Sequence, residues 1–338
     1  MLQKTNQQDT PRAPKDLINQ LITLYQQGQY QQTLEQGNQL LQQYPQTPPL
    51  HNILGATYSI LGQPEHSVHH LREALNLQPH YPDAYNNLGA VLNDLGQYQE
   101  AQQLLEQAIQ IKPGYAEAHN NLGNVLLKLQ EYEKAKGHYA KAVEINPQYA
   151  EAYNNLGTAF SHLENYDKAI ENFHYAISLN PQAPEAHNNL GSALNKKEQH
   201  EEAIQHLEKA IELHPQYAEA YNNLGKTYHD IGKYDQAEQS LLKALELNPE
   251  FDEIYTNLGN TSFKHKQYDQ AKKYYEQAIK INPNSAESLN GMAAVSIELG
   301  KCDKAVMYSK RAIDLNSSLA LMSSQLLFAL NYSPDLSA

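Results

Sequence analysis

Six asparagines stand at intervals of 34 residues, at Asn87, Asn121, Asn155, Asn189, Asn223 and Asn257. A carboxamide offers both a donor and an acceptor, so a row of them could pair with successive peptide bonds without reading any side chain. The fifteen histidines raise a second chemistry, metal binding. His66, His69 and His70 would share one face of a helix, and His200-Glu201-Glu202 with His206 approaches a zinc-binding helix, but Ile204 occupies the second ligand place. His51, His119 and His187 alternate with tyrosine at one recurring position, which reads as a structural or surface role. Cys302, the single cysteine, replaces a tyrosine of the pattern and reads as packed rather than reactive. With no phosphate-binding glycine loop, nucleophile elbow or paired-cysteine motif, the sequence assigns no catalytic residue, no metal and no cofactor.

The elements that must position these residues follow one period. The word Asn-Asn-Leu-Gly ends at Gly89, Gly123, Gly157, Gly191 and Gly225, and prolines keep the same interval at Pro79, Pro113, Pro147, Pro181, Pro215, Pro249 and Pro283. Such a period marks a stacked-repeat protein. In residues 150–183, Ala152, Leu156, Ala159, Phe160 and Leu163 predict an amphipathic helix A. Tyr166, Ala169, Ile170, Phe173, Ala176 and Ile177 predict a helix B. Gly62, Gly96, Gly232 and Gly300 fall between the two, where a helix can end in the left-handed conformation. Acids such as Asp83, Glu117, Glu151 and Glu219 fall in the first turn of helix A, where the macrodipole favours them. Nine units begin at 14, 48, 82, 116, 150, 184, 218, 252 and 286, the first of them degenerate and suited to capping the array. Residues 1–13 read as a disordered polar tail, and 320–338 as an apolar capping helix followed by the start of a linker.

Composition narrows the function. The net charge is −13, with Lys and Arg scattered among the acids, which argues against nucleic acid and anionic membrane as partners. A single cysteine excludes an intrachain disulfide and suits a reducing compartment. Without a signal-like apolar start or a run long enough to span a bilayer, the expected location is cytoplasmic.

The pattern of Tyr153, Leu156-Gly157, Phe160, Ala169, Phe173, Ala176 and Pro181 resembles the tetratricopeptide repeat over residues 14–319. The departures are Tyr or His for the usual Trp, Ala293 for the glycine, Ser262 and Ser296 for larger residues, and Ser317 for the last proline. They predict fraying towards the C-terminal end. The resemblance implies an all-α, right-handed superhelical solenoid of about nine helix-turn-helix units, with the A helices lining a concave face. Residues 324–338 are similar to the segment that joins repeats to catalytic region in bacterial and SPINDLY-like O-linked N-acetylglucosamine transferases, although Gln325 departs from its usual asparagine.

Together these resemblances imply that Asn87, Asn121, Asn155, Asn189, Asn223 and Asn257 form an inward-facing ladder for an extended peptide, as in the transferase family. Helices pack about 8–10 Å apart and an extended chain advances about 3.3 Å per residue, so each rung would meet about every third ligand residue. Solvated fold-signature asparagines are the plainer alternative. Lys128, Lys196, Lys226 and Lys264 would give the groove a mixed charge, unless they are ordinary solvated helix charges. The lysine and arginine clamp by which some relatives hold chaperone tails is absent from residue 48 onward. The function expected is thus a peptide-binding module, the substrate-recruiting part of a transferase-like parent whose catalytic region is not in this chain. A free-standing cytoplasmic scaffold is the alternative, and pairing into a homodimer is left open.

Overall fold

The computed structural model describes residues 12–316, which form eighteen α-helices, and no strand occurs among the described residues. The helices alternate as the period requires. From the second unit onward every A helix has 13 residues and every B helix 14, as in α9 (Ala150–His162) and α10 (Tyr166–Leu179). The first pair is α1 (Lys15–Gln26) with α2 (Tyr30–Gln43), the second α3 (Pro48–Ile60) with α4 (Pro64–Leu77), and the third α5 (Pro82–Asp94) with α6 (Tyr98–Ile111). The fourth pair is α7 (Ala116–Lys128) with α8 (Tyr132–Ile145), and α9 with α10 is the fifth. Then come α11 (Pro184–Lys196) with α12 (His200–Leu213) and α13 (Ala218–Asp230) with α14 (Tyr234–Leu247). The last two pairs are α15 (Asp252–Lys264) with α16 (Tyr268–Ile281), and α17 (Ala286–Glu298) with α18 (Cys302–Leu315). Five hairpins lie in a compact unit ending at Leu179 and four in a second unit from Asn180.

One backbone device ends every A helix. A residue with positive φ follows at 28, 62, 96, 130, 164, 198, 232, 266 and 300. At Gly96 the amide donates to Asn93 O at 3.0 Å and the next amide, Gln97, donates to Leu92 O at 2.8 Å, which is the Schellman arrangement. Glycine supplies five of the nine positions, while Gln130, Glu164, Glu198 and Lys266 adopt the same conformation at φ 56–61°. The B helices stop for another reason. The residue after each of the first eight, such as Lys112 (φ −132°, ψ 84°) or His214 (φ −137°, ψ 88°), precedes a proline and is held extended by it, while Asn316 after α18 is extended with Ser317 in the proline's place.

Within a hairpin the large side chain of helix B lies over the glycine of helix A. A Cβ at Gly89 would fall 2.6 Å from Leu105 Cγ, at Gly123 2.5 Å from Tyr139 Cε1, and at Gly157 2.6 Å from Phe173 Cε1. Small residues such as Ala101, Ala108, Ala169 and Ala176 are buried to 2% exposure or less and let the helix backbones approach. A continuous core then runs from Leu71 through Leu88, Leu105, Leu122 and Tyr139 to Leu156, so no hairpin in that stretch buries its faces alone.

Two expectations change. The tail does not extend to residue 13, because the Ala13 amide donates to Thr47 Oγ1 at 2.9 Å. Nor is the ninth pair frayed through Leu315, where α17 and α18 keep the standard lengths. Where units two to eight set glycine under a large residue, this one has Ala293 and, at the equivalent place on helix B, Ser309, both buried, so the added methyl takes up part of the space the larger side chain fills elsewhere, and Ser309 Oγ is left without a hydrogen-bond partner. Ser296 Oγ is satisfied by Met292 O at 2.7 Å. Residues 1–11, with most of the tail, and 317–338, with the capping helix and linker, lie outside the described residues.

Replacing Gly157 by Leu should overpack the Phe173 contact and cost about 1–3 kcal/mol; an unchanged melting temperature contradicts the contact. In the opposite direction, Glu164→Gly relieves a left-handed conformation that costs a side chain about 1–2 kcal/mol. Part of that gain is offset by greater unfolded-state freedom. A rise in urea midpoint is expected, and a fall would show that Glu164 earns its place through a contact.

Candidate functional site

Within each compact unit, each A helix packs directly against the A helix of the next hairpin, α1 with α3, α3 with α5, α5 with α7 and α7 with α9, then α11 with α13, α13 with α15 and α15 with α17. The A helices of each unit therefore share one face. Asparagines join them across it. In the first unit Nδ2 of Asn87 donates to Asn52 Oδ1 at 3.0 Å, that of Asn121 to Asn86 Oδ1 at 2.9 Å, and that of Asn155 to Asn120 Oδ1 at 3.0 Å. In the second, Asn223 donates to Asn188 Oδ1 and Asn257 to Asn222 Oδ1, each at 2.9 Å.

The accepting asparagine, first of each doublet, is the deeper of the two. Asn86, Asn120, Asn188 and Asn222 are 0–6% exposed. Three of them pass the link on to a first-turn carboxylate of the following A helix. Asn120 Nδ2 donates to Glu151 Oε1 at 3.0 Å, Asn188 to Glu219 at 3.1 Å and Asn222 to Glu253 at 3.3 Å. The first-turn acids thus serve a partner as well as the macrodipole. Of the six expected rungs, Asn87, Asn121, Asn155, Asn189 and Asn223 are half-buried and Asn257 is buried at 7% exposure. Oδ1 of Asn121, Asn155 and Asn223 accepts no hydrogen bond among the described residues and is not a sealed atom, so water reaches it. Each of those three side chains therefore has one end tied to the neighbouring hairpin and an acceptor left for solvent or a ligand.

At the N-terminal end this face opens into a cleft of about 560 Å³. Its lining comes from α1, α3, α5 and α7 and from the turns just before the last two, with Asn52 and Asn87 at its edge and no residue of a B helix. Tyr81 and Tyr115 flank Asp83 there. Burial, then the Asp83 charge, pushes the Tyr81 phenol up to about 12, and the same two causes raise Tyr115. Both phenols stay neutral donors at physiological pH.

Residues 46–179 match the tetratricopeptide repeat family in three overlapping segments, 46–114, 80–147 and 114–179. Residues 149–335, more than half of the chain, match the cilia and flagella-associated protein 70 C-terminal domain, a tetratricopeptide domain family. The chain belongs to the tetratricopeptide repeat proteins. Its C-terminal half falls in the family of that flagellar domain. No curated protein matches it. Among solved structures, the APC/C hetero-tetramer Cut9-Hcn1 superposes over 83% of this chain with a TM-score of 0.67 at 19% identity; the match takes in 55% of that chain, so this one spans about half its length. PilW, a type IV pilus biogenesis factor, matches at TM-score 0.56 and 23% identity over 64% of this chain and 98% of its own. PilF of Pseudomonas aeruginosa gives 0.55 and 24% over 64% and 97%. At these identities the likeness is one of fold. Tetratricopeptide proteins bind protein or peptide partners, and no helix among the described residues is long and apolar enough to cross a membrane.

The histidines of this tetratricopeptide array pair in a way the sequence reading missed. His51 and His70 bring their Nδ1 atoms to 3.1 Å, His119 and His138 to 3.1 Å, and His187 and His206 to 2.9 Å. Nε2 of the first ring in each pair lies 2.9–3.2 Å from the carbonyl of Pro45, Pro113 or Pro181. A carbonyl only accepts, so that Nε2 carries the proton, its Nδ1 is the acceptor, and the second histidine donates through Nδ1. The pairs are structural links between helices A and B, as expected of a structural role, but with a specific partner. His200 bonds Asn195 instead of sharing a ligand with His206. Among the described residues no three His, Cys, Asp or Glu side chains converge as a metal site. Lys128, Lys196 and Lys264 are the exposed last residues of α7, α11 and α15, where the macrodipole favours a cation, and Lys226 is half-buried in α13. Cys302 is a half-buried free thiol opening α18.

Two measurements follow from this geometry. Asn120→Ala removes two bonds, the one accepted from Asn155, whose amide keeps a second bond to Asn124 Oδ1 at 3.1 Å, and the one given to the exposed Glu151, and should cost about 2 kcal/mol, against about 1 kcal/mol for Asn121→Ala, which removes one; equal losses in urea unfolding would contradict the relay. The histidine pairs should weaken the fold in acid. Burial first, then its histidine neighbours, lowers His70 to about 4, and burial lowers His119, His138 and His187. A depressed folded value means that stability is complete above the unfolded value near 6.5 and is lost as pH falls towards about 4, by about 3 kcal/mol at His70 alone. His51→Tyr with His70→Leu, which copies the Tyr85 and Leu104 pairing of the next unit, should flatten part of that decline; an unchanged pH profile would show that the pair does not titrate with unfolding.

Proposed function

We propose that this array binds extended polypeptide segments along the faces that the A helices make within each compact unit, using Asn87, Asn121 and Asn155 in the first and Asn189 and Asn223 in the second, where the buried Asn257 mainly holds its neighbours together. The observation that carries this reading is the cleft lined by the A helices of four consecutive units and edged by Asn52 and Asn87. Half-buried carboxamides tied at one end are held in place without the ligand, so ordering them on binding costs little entropy. The described residues are assigned binding and no catalysis, and the protein is placed in the cytoplasm.

Within that reading, the resemblance of residues 324–338 to a transferase linker supports recruitment of protein substrates for an O-linked N-acetylglucosamine transferase-like enzyme. What supports a second reading, a free-standing scaffold, is that the match to the flagellar domain runs through most of the same segment. Fusing or mixing the chain with a transferase catalytic region separates the two: array-dependent glycosylation of a bound peptide favours the first, and indifference favours the scaffold.

The ladder itself is tested by Asn155→Ala, Asn189→Ala and Asn223→Ala together. Fluorescence anisotropy with labelled extended peptides should show affinity falling about tenfold or more, roughly one lost hydrogen bond per rung, while circular dichroism keeps its helical signal. Equal affinity with the fold intact would end the proposal.

A further inference from the structure

The N-terminal cleft differs from the rest of the shared face in having a composition that selects a ligand. Asp83 and Glu117 bring two carboxylates into it, and among the described residues that line it there is no Lys or Arg. Ile22, Ile53 and Ala56 supply an apolar wall on α1 and α3 opposite those acids on α5 and α7. Tyr25, Tyr81 and Tyr115 add aromatic rings; the Tyr115 ring already holds Lys112 Nζ 3.9 Å from its centre, which leaves Tyr25 and Tyr81 to meet an incoming cation. Ile22 is 36% exposed, a large side chain left open at the mouth.

We infer that this cleft takes a cationic segment of another polypeptide in which Lys or Arg alternates with a large apolar residue, a specificity that rests on the peptide-binding reading above. In an extended chain successive side chains point to opposite sides, so an apolar residue packs on Ile22 and Ile53 while its neighbours reach Asp83 and Glu117. The backbone between them runs past Asn52 and Asn87. Asp83 is half-buried and Glu117 exposed, so Asp83 attracts such a cation more strongly than a carboxylate on an open surface does, and Glu117 with the overall charge of −13 aids the encounter.

The test uses the full chain and three labelled peptides of equal length, alternating Leu with Lys, Leu with Glu, or Leu with Ser, at physiological salt. The Leu-Lys peptide should bind at least about tenfold more tightly than the Leu-Glu peptide. Asp83→Asn with Glu117→Gln should remove most of that preference. A control pair on exposed B-helix sites, Glu65→Gln with Glu106→Gln, should leave affinity within about twofold. Equal binding of all three peptides, or equal loss in the control pair, would overturn the charge assignment while leaving the peptide-binding reading standing. Failure of every peptide to bind would overturn both. Competition by rising unlabelled protein would show that a second copy of this chain fills the cleft, and would also overturn the assignment.

Discussion

A two-helix hairpin has two apolar faces and can cover only one of them within itself. The structure resolves this by placing the bulky residue of helix B over the glycine of helix A, which flattens the hairpin, and then closing the remaining face with the next hairpin. Close approach makes every polar atom at the seam a liability, because an amide sealed between helices without a partner costs more than the bond is worth. The asparagine pairs answer that liability. The buried carboxamide of one hairpin accepts from that of the next, half-buried at Asn155 and Asn223 and buried at Asn257, and, at Asn120, Asn188 and Asn222, donates its own N–H to the following carboxylate.

Function then grows from the same bonds. A side chain that serves only the fold would be sealed, and one that serves only a ligand would be free to wave. Asn121, Asn155 and Asn223 are between these limits, tied through Nδ2 and open at Oδ1. Such groups are held ready before a ligand arrives. The cleft at the N-terminal end adds the apolar and acidic surface that a row of identical carboxamides lacks, and so is where selection among ligands can occur.

Much of this was legible in the sequence because periodicity reports local geometry. The interval of 34 residues fixed the helix pairs, and Leu156, Gly157 and Phe173 showed which positions meet. Partners across hairpins were not legible. Asn155 reaches Asn120, 35 residues earlier, and a carboxamide in a repeat looks the same whether it faces water, a peptide or a neighbour. The inference therefore stopped at the second asparagine and overlooked the first. The histidine pairs did leave a trace, since His51, His119 and His187 each have another histidine 19 residues on, whereas Tyr85, Tyr153 and Tyr221 do not. The tyrosines before the first-turn acids, Tyr81 and Tyr115, left another in the spacing Tyr-x-Asp or Tyr-x-Glu. Left-handed turns at Gln130, Glu164, Glu198 and Lys266 could be placed only by register, because nothing in those residue types asks for that conformation.

The most direct measurement is a double-mutant cycle in urea across one seam, with Asn188→Ala, Asn223→Ala and both together. If the carboxamides bridge adjacent hairpins, the two losses are coupled by about 1 kcal/mol. Losses that add to within about 0.3 kcal/mol would mean that each asparagine answers to solvent alone, and that the bridge between repeats carries no energy.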